Sequence, residues 1–243
     1  MHNYLLRLRK SAGMSQEQVA QRLKISRPTY LAIEKGSREL KTSESQELAR
    51  MFDLSLDDFL AQKIPSEQKH PKGGKEEMQK FKEVLLYILQ KVGARPNVGQ
   101  TVLYKLLYFI DFDYYEKYEE KLLGLQYQRN HHGPTPITFA KAVEEMKRDG
   151  DLEEVKSKFF SFDQRKYLPR RKFDFTKINL SAPEIEMIDQ VLEKYGDKTA
   201  TWLSDYSHKD IPWASHDQGE MIDYDVVFYR DDSYSVRDYE DEL

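Results

Sequence analysis

Residues 13–40 read GMSQEQVAQRLKISRPTYLAIEKGSREL, and this run decides how the front of the chain folds. Ser15 stands three residues before Gln18. In that pattern each side chain satisfies a backbone N–H left orphaned at a helix start. Val19, Ala20 and Leu23 then recur at helical spacing on one face. Ile25 closes a short turn, Ser26 caps the next helix, and Pro28 falls in its first turn, where a missing N–H costs little. Tyr30 and Ile33 supply the inner face of that helix and Gly36 ends it. Upstream, Tyr4, Leu5 and Leu8 mark a first helix ending at Gly13; downstream, Leu48, Ala49 and Phe52 mark a fourth, and Leu56, Phe59 and Leu60 a short fifth.

The rest of the 243 residues exceeds what one small domain needs, so two domains are expected. With 39% hydrophobic and 12% aromatic residues, packed cores are within reach. The absence of cysteine excludes disulfide frameworks, thiolate metal sites and cysteine nucleophiles. No signal peptide opens the chain and no apolar run approaches the roughly 18 residues of a membrane span, so a cytoplasmic protein without membrane contact is expected. The net charge of −4 hides an asymmetry. Basic residues outnumber acids up to residue 50, whereas the acids crowd residues 217–242 against Arg230 and Arg237 alone. A basic front suits a phosphate backbone; an acidic end meets basic protein surfaces or water.

Residues 64–77, IPSEQKHPKGGKEE, carry two prolines, two adjacent glycines and almost nothing apolar, and read as a linker between domains 1–63 and 78–230. The second domain opens with a helix near 77–92. A second helix over about 98–118 is apolar on most sides, which places it centrally. RNHHGPTP, residues 129–136, reads as a rigid turn, and a helix follows near 137–149. EEVKSKFFSF and RKYLPRR read as a small β-hairpin turning at 162–164. Ser181, Pro183 and Glu184 start a helix running to about Tyr195, a shorter one spans about 199–206, and the pattern loosens after Trp213 towards an acidic tail, residues 231–243. The fold expected is mainly α.

The stretch from Gly13 to Leu40 resembles the Cro/repressor-type (XRE) helix-turn-helix family: Ser15-Gln16, Val19-Ala20, Leu23, Ile25-Ser26, Ile33-Glu34, Gly36 and Arg38 fall where that family places them. Two capped helices joined by a tight turn can set the second in the major groove. Arg27 and Thr29 are then expected to be the first exposed side chains of the reading helix, capped by Ser26, with Leu31 and Ala32 following on its outer face. Arg27 suits guanine, and Thr29 or Ala32 a thymine methyl. Gln16, Lys35 and Arg38 suit phosphates. The resemblance implies a homodimer on palindromic operator DNA.

A second constellation is Lys105-Leu-Leu-Tyr-Phe-Ile-Asp111, Gly133-Pro134-Thr-Pro136, Ser207-His208 and Trp213. It resembles the Panacea domain, also called SocA-like, over about residues 80–230. His132 stands where that turn usually has an aromatic residue, and Pro136 comes one position early. The resemblance implies an antitoxin that binds and neutralises a cognate toxin protein. Lys105 and Asp111 read first as charges paired inside the domain and second as partner contacts. The partner surface expected combines Tyr104 and Tyr108, four apart on one helix face, with Lys105, Asp111, Gly133, Pro134, Pro136, His208 and Trp213.

An enzyme is the weaker reading. His131, His132, His208 and His216 lack metal-ligand spacing, so neither metal nor cofactor is expected. His208 with Asp205 or Asp210 would make a general base, yet no nucleophile elbow or phosphate loop accompanies it. A phage- or plasmid-type repressor, whose second domain serves oligomerisation or another ligand, is the alternative to an antitoxin.

Overall fold

The computed structural model describes residues 2–12, 14–52, 54–62, 75–177 and 180–237. The chain divides into two compact units, Met1–Pro71 with Val236–Leu243, and Lys72–Ser235. It is mainly helical, with two small antiparallel sheets of two strands each among the described residues.

Among its described residues the first unit is five helices: α1 (His2–Ser11), α2 (Gln16–Leu23), α3 (Arg27–Lys35), α4 (Thr42–Met51) and α5 (Leu56–Leu60). Its starts follow the expected caps. Ser15 Oγ accepts the Gln18 N–H and the Gln18 side chain accepts the Ser15 N–H. Ser26 Oγ accepts the Thr29 N–H at 3.3 Å, and Gly36, at φ 76°, closes α3. Lys24 holds the left-handed conformation (φ 56°) that turns α2 into α3. Tyr4, Leu5, Leu8, Val19, Ala20, Tyr30, Ile33, Leu48, Ala49 and Phe59 form the core, as their spacing predicts. The expected stop at Gly13 lies outside the described residues.

The second unit contains α6 (Lys75–Val92), α7 (Gln100–Tyr118), β1 (Tyr127–Asn130), β2 (Gly133–Pro136), α8 (Phe139–Arg148), β3 (Leu152–Phe159), β4 (Phe162–Pro169), α9 (Ala182–Tyr195), α10 (Ala200–His208), α11 (Ile211–Ala214) and a 3₁₀ segment, Tyr224–Tyr229. As its sequence requires, α7 is buried on nearly every side, packed by α9, β2, α10 and the 3₁₀ segment. Most of the expected linker lies outside the described residues, and its end already belongs to α6.

Two local readings need correction. Residues 129–136 are not a simple turn: β1 and β2 pair antiparallel, Tyr127 opposite Pro136 and Asn130 opposite Gly133. Proline lacks the ladder donor, so a sheet of only two strands, where every strand is an edge, is the setting that tolerates Pro134 and Pro136. The second hairpin exists, but Phe159 pairs with Phe162, so its turn is Phe160-Ser161 and not 162–164. Extending both strands in register leaves two residues for the loop, the commonest hairpin length.

Candidate functional site

In the first unit, the buried Glu34 carboxylate ties α3 to α1 through an ion pair and to α2 through a hydrogen bond. Arg9 Nε donates to Glu34 Oε1 at 2.9 Å, and Gln16 Nε2 donates to Glu34 Oε2 at 2.7 Å. Glu34 and Gln16 are fully buried. Gln16, expected on phosphates, therefore spends its amide inside, because Glu34 needs donors once it is taken from water. Arg38 is likewise engaged: its two terminal nitrogens fork onto Glu44 at 3.0 and 2.8 Å, holding that carboxyl below its ordinary range. Glu44 also accepts the Lys41 N–H at the start of α4.

On α3 the expected outer face is only partly outward. Thr29 and Ala32 are half-buried and Lys35 is exposed, whereas Arg27 and Leu31 are buried. Arg27, Leu31 and Glu34 follow each other at spacings of four and three, so they share one helix face, and that face is turned away from solvent. Ser26 and Thr29 bond to each other through their hydroxyls at 2.8 Å.

In the second unit, the constellation on α7, β2, α10 and α11 comes together around α7. Lys105 is fully buried; its Nζ donates to the Pro134 carbonyl at 3.0 Å, and burial pushes the amine down to about 7. Gly133 is the residue this contact demands. A Cβ there would lie 2.8 Å from Lys105 Nζ and 2.6 Å from Ser207 Oγ, and its φ is 95°. Asp111 is paired with a different segment: it accepts the N–H groups of Leu123 (2.7 Å), Gly124 (3.2 Å) and Leu125 (3.3 Å) and the hydroxyls of Tyr127 (2.9 Å) and Tyr224 (3.0 Å). Burial still raises its carboxyl above the ordinary value. Both charges are thus paired inside, with different partners, and not with each other.

The other positions expected at the partner surface are interior or half-interior. Tyr108 is fully buried and donates to Asp210 Oδ2 at 2.8 Å, and Pro134 and Pro136 are buried in β2. Tyr104 is half-buried, edge-on to Phe139 at 4.8 Å between ring centres. The surface drawn through Tyr104, Lys105, Tyr108, Asp111, Gly133, Pro134 and Pro136 is therefore no continuous face, because a helix buried on nearly every side has none to spare. His208 and Trp213 are half-buried and stack at 4.2 Å, and the Arg129 guanidinium lies 4.0 Å from the centre of the Trp213 ring.

The sequence reading missed Arg230. It is buried and bidentate to Asp210 at 2.8 and 2.7 Å, and its remaining nitrogen reaches Asp113 (2.7 Å) and Glu116 (3.0 Å). Among the described residues one guanidinium thus meets three buried carboxylates, and burial pushes the Asp113 carboxyl up to about 6. Both Asp210 oxygens are taken by Arg230 and Tyr108, so Asp210 does not orient His208 as a base. Burial lowers the His208 imidazole, with Lys105 adding to the effect. His216 is held by the Pro212 carbonyl (2.7 Å) and the Asp223 N–H (3.1 Å). Among the described residues no group of three or more histidines and carboxylates could hold a metal ion, and no helix is long and apolar enough to cross a membrane.

These two constructions define a chain with a helix-turn-helix head and a helical domain organised around one buried helix. Residues 5–59 match the family model described as helix-turn-helix, and residues 103–214 match the model described as antitoxin SocA-like, Panacea domain. The chain carries an XRE-type helix-turn-helix domain joined to a SocA-like Panacea domain, as the two motif sets led us to expect. Both are domains of non-enzymatic kinds. Neither the curated proteins nor the solved structures contain a match to the chain.

Proposed function

We propose that the chain is the antitoxin of a type II toxin–antitoxin pair. Its Panacea domain neutralises a cognate toxin by direct protein contact, and its helix-turn-helix domain binds operator DNA as a homodimer and represses the operon encoding the pair. The observation that carries this reading is the joining in one chain of a helix-turn-helix match over residues 5–59 to a SocA-like antitoxin match over residues 103–214.

On the DNA side, α3 is the reading helix. Thr29 and Ala32 face thymine methyls, Lys35 binds phosphate, and Arg27 reaches guanine only after leaving its buried position. Gln16 and Arg38 act indirectly, by fixing α2, α3 and α4 through Glu34 and Glu44. On the toxin side, Lys105, Asp111 and Gly133 hold the domain in its binding-competent form. Direct contact falls to half-buried and exposed side chains such as His208 and Trp213.

Co-expression tests the reading. The reading frame adjoining this gene is expressed alone and with the chain, growth is scored, and the complex is captured. Growth arrest relieved by the chain, with a stable complex, is the expected result. An adjoining product that is neither toxic nor bound would replace the antitoxin by a stand-alone repressor.

A further inference from the structure

The first turns of two helices open into one cleft. At the start of α7 the capping position is Gly99, which offers no side chain to the N–H groups of Gln100, Thr101 and Val102. A capping serine or aspartate is kept out, because a Cβ there would lie 2.8 Å from Gln164 Oε1 and 3.2 Å from the Arg165 carbonyl oxygen. At the start of α10, Thr199 caps the Trp202 N–H and leaves those of Ala200 and Thr201. N–H groups at these positions have no acceptor within their own helix, and the helix dipole makes them the positive end. All of these N–H-bearing residues line a cleft of about 750 Å³ that is bounded also by the β3–β4 hairpin.

The hairpin brings positive charge to the same place. Lys156 stands directly opposite Arg165 across the ladder, and both line the cleft. Like charges so placed destabilise a sheet. Arg165 has Glu154 at 3.7 Å, and among the described residues Lys156 has no ion pair. Asp163, the one acid among the described lining residues, stands opposite Lys158. Ser157 lines the cleft as well, and its Oγ is shut off from solvent without a hydrogen-bond partner. A buried hydroxyl calls for such a partner. Open N–H groups, two cations and an unpartnered hydroxyl together suit an anion with several acceptor oxygens, and a phosphate group has that form.

The rim adds apolar rings. Phe160, the first residue of the two-residue turn, holds the left-handed conformation (φ 53°) that favours glycine, and such strain collects at ligand sites. Its ring is 85% exposed, and that of Phe162 is 74% exposed. Both rings line the cleft, together with Phe159, which lies edge-on to Phe160 at 4.6 Å. Exposed rings beside an anion seat suit a planar base, since every base has a π face to stack. The cleft also has the size of a small-ligand site, roughly 300–1,000 Å³. An acidic protein segment would answer the charge and leave the rings unexplained.

We propose that this cleft is a nucleotide site of the Panacea domain. The phosphate sits on the open N–H groups of α7 and α10 with Lys156, Arg165 and Ser157, and the base stacks on Phe160 or Phe162. Neither His208 nor Trp213 lines the cleft, and the proposal rests on neither the antitoxin reading nor the homodimer.

The test is calorimetric titration of the full chain with adenosine monophosphate, uridine monophosphate, adenosine and inorganic phosphate. Both nucleotides should bind, and more weakly as salt rises. Phosphate, which lacks the stacked base, should bind about tenfold more weakly than either nucleotide, and adenosine more weakly than its monophosphate. Lys156→Met/Arg165→Met changes two exposed side chains and should lower nucleotide affinity about tenfold or more with an unchanged circular dichroism spectrum. Ala200→Pro removes one N–H and no charge at the first position of α10, where proline is tolerated after the extended Thr199 (ψ 159°), and should also weaken nucleotides. Phe160→Gly/Phe162→Ser should weaken nucleotides and leave phosphate unchanged. No nucleotide binding up to millimolar concentration, or binding untouched by the charge and proline variants, overturns the proposal. Adenosine bound as tightly as its monophosphate overturns the phosphate seat, and nucleotides held no better than phosphate overturn the stacked base. Growth rescue is a separate readout, so its failure beside nucleotide binding would count against the antitoxin reading alone.

Discussion

Replacing Arg230 by methionine should destabilise the second unit more than any single surface change. The guanidinium is the counter-ion of Asp210, Asp113 and Glu116, all buried. Methionine fills similar volume, so the cavity cost is small, and what remains is uncompensated charge. Removing one partner of a buried ion pair costs about 3–5 kcal/mol. For a unit of this size each kcal/mol lowers Tm by about 2–4 °C, so the expected fall is about 6–20 °C at pH 7.5. Both tryptophans, Trp202 and Trp213, lie in this unit, so tryptophan fluorescence follows its unfolding by urea or heat without interference from the first unit. The loss should shrink at pH 5. Without Arg230 the folded carboxyls titrate higher than in the wild type, where Asp113 already stands at about 6. The folded variant therefore holds more protons than its unfolded chain, whose aspartates titrate near 3.8, and gains stability as pH falls towards that value. A destabilisation below about 1 kcal/mol at both pH values would mean that the four groups behave as a screened surface cluster, and would refute the argument.

Lys105 gives a pH dependence of opposite sign. Its amine stands at about 7 in the folded unit against 10.5 ordinarily, so the unfolded chain binds the extra proton between those values. Stability should rise from pH 7 to 9 by up to about 1.4 kcal/mol per unit, and Lys105→Met should flatten that stretch of the urea-midpoint profile. A wild-type profile already flat there would show the amine to be charged when folded. In the first unit, Lys35→Ala should weaken specific and random DNA alike and reduce the salt slope of binding by about 0.9, read by fluorescence anisotropy from 50 to 200 mM salt. A loss confined to one sequence would make Lys35 a base contact.

Much of the first unit was legible because its information is local. Ser15, Gln18, Ser26 and Gly36 each act on neighbours within four residues, and the core side chains repeat at helical spacing. The same local rules place Arg27 and Leu31 on the outer face of α3, yet they are buried, because spacing assigns residues to a common face without saying what covers it. In the second unit α7 was read as central, while the roles of its polar residues were not. Asp113 and Arg230 are 117 residues apart, and no periodicity links them. The β1–β2 hairpin hid behind Pro134 and Pro136, which argue against a strand anywhere but an edge. Phe160 was visible as a letter and invisible as a strained, exposed ring, since its φ follows from a strand register that the sequence placed two residues away.

The most direct test of two units with two separate tasks is Ala32→Glu, scored in one strain for growth and for operon repression. A carboxylate at this half-buried position, on the side of α3 proposed to enter the groove, would bring negative charge against the DNA polyanion and should abolish operator binding. The account predicts that this variant still rescues growth from the adjoining product but no longer represses a reporter fused to the operon's promoter. Loss of both activities at unchanged protein level would contradict it, by making rescue a consequence of repression rather than of protein contact.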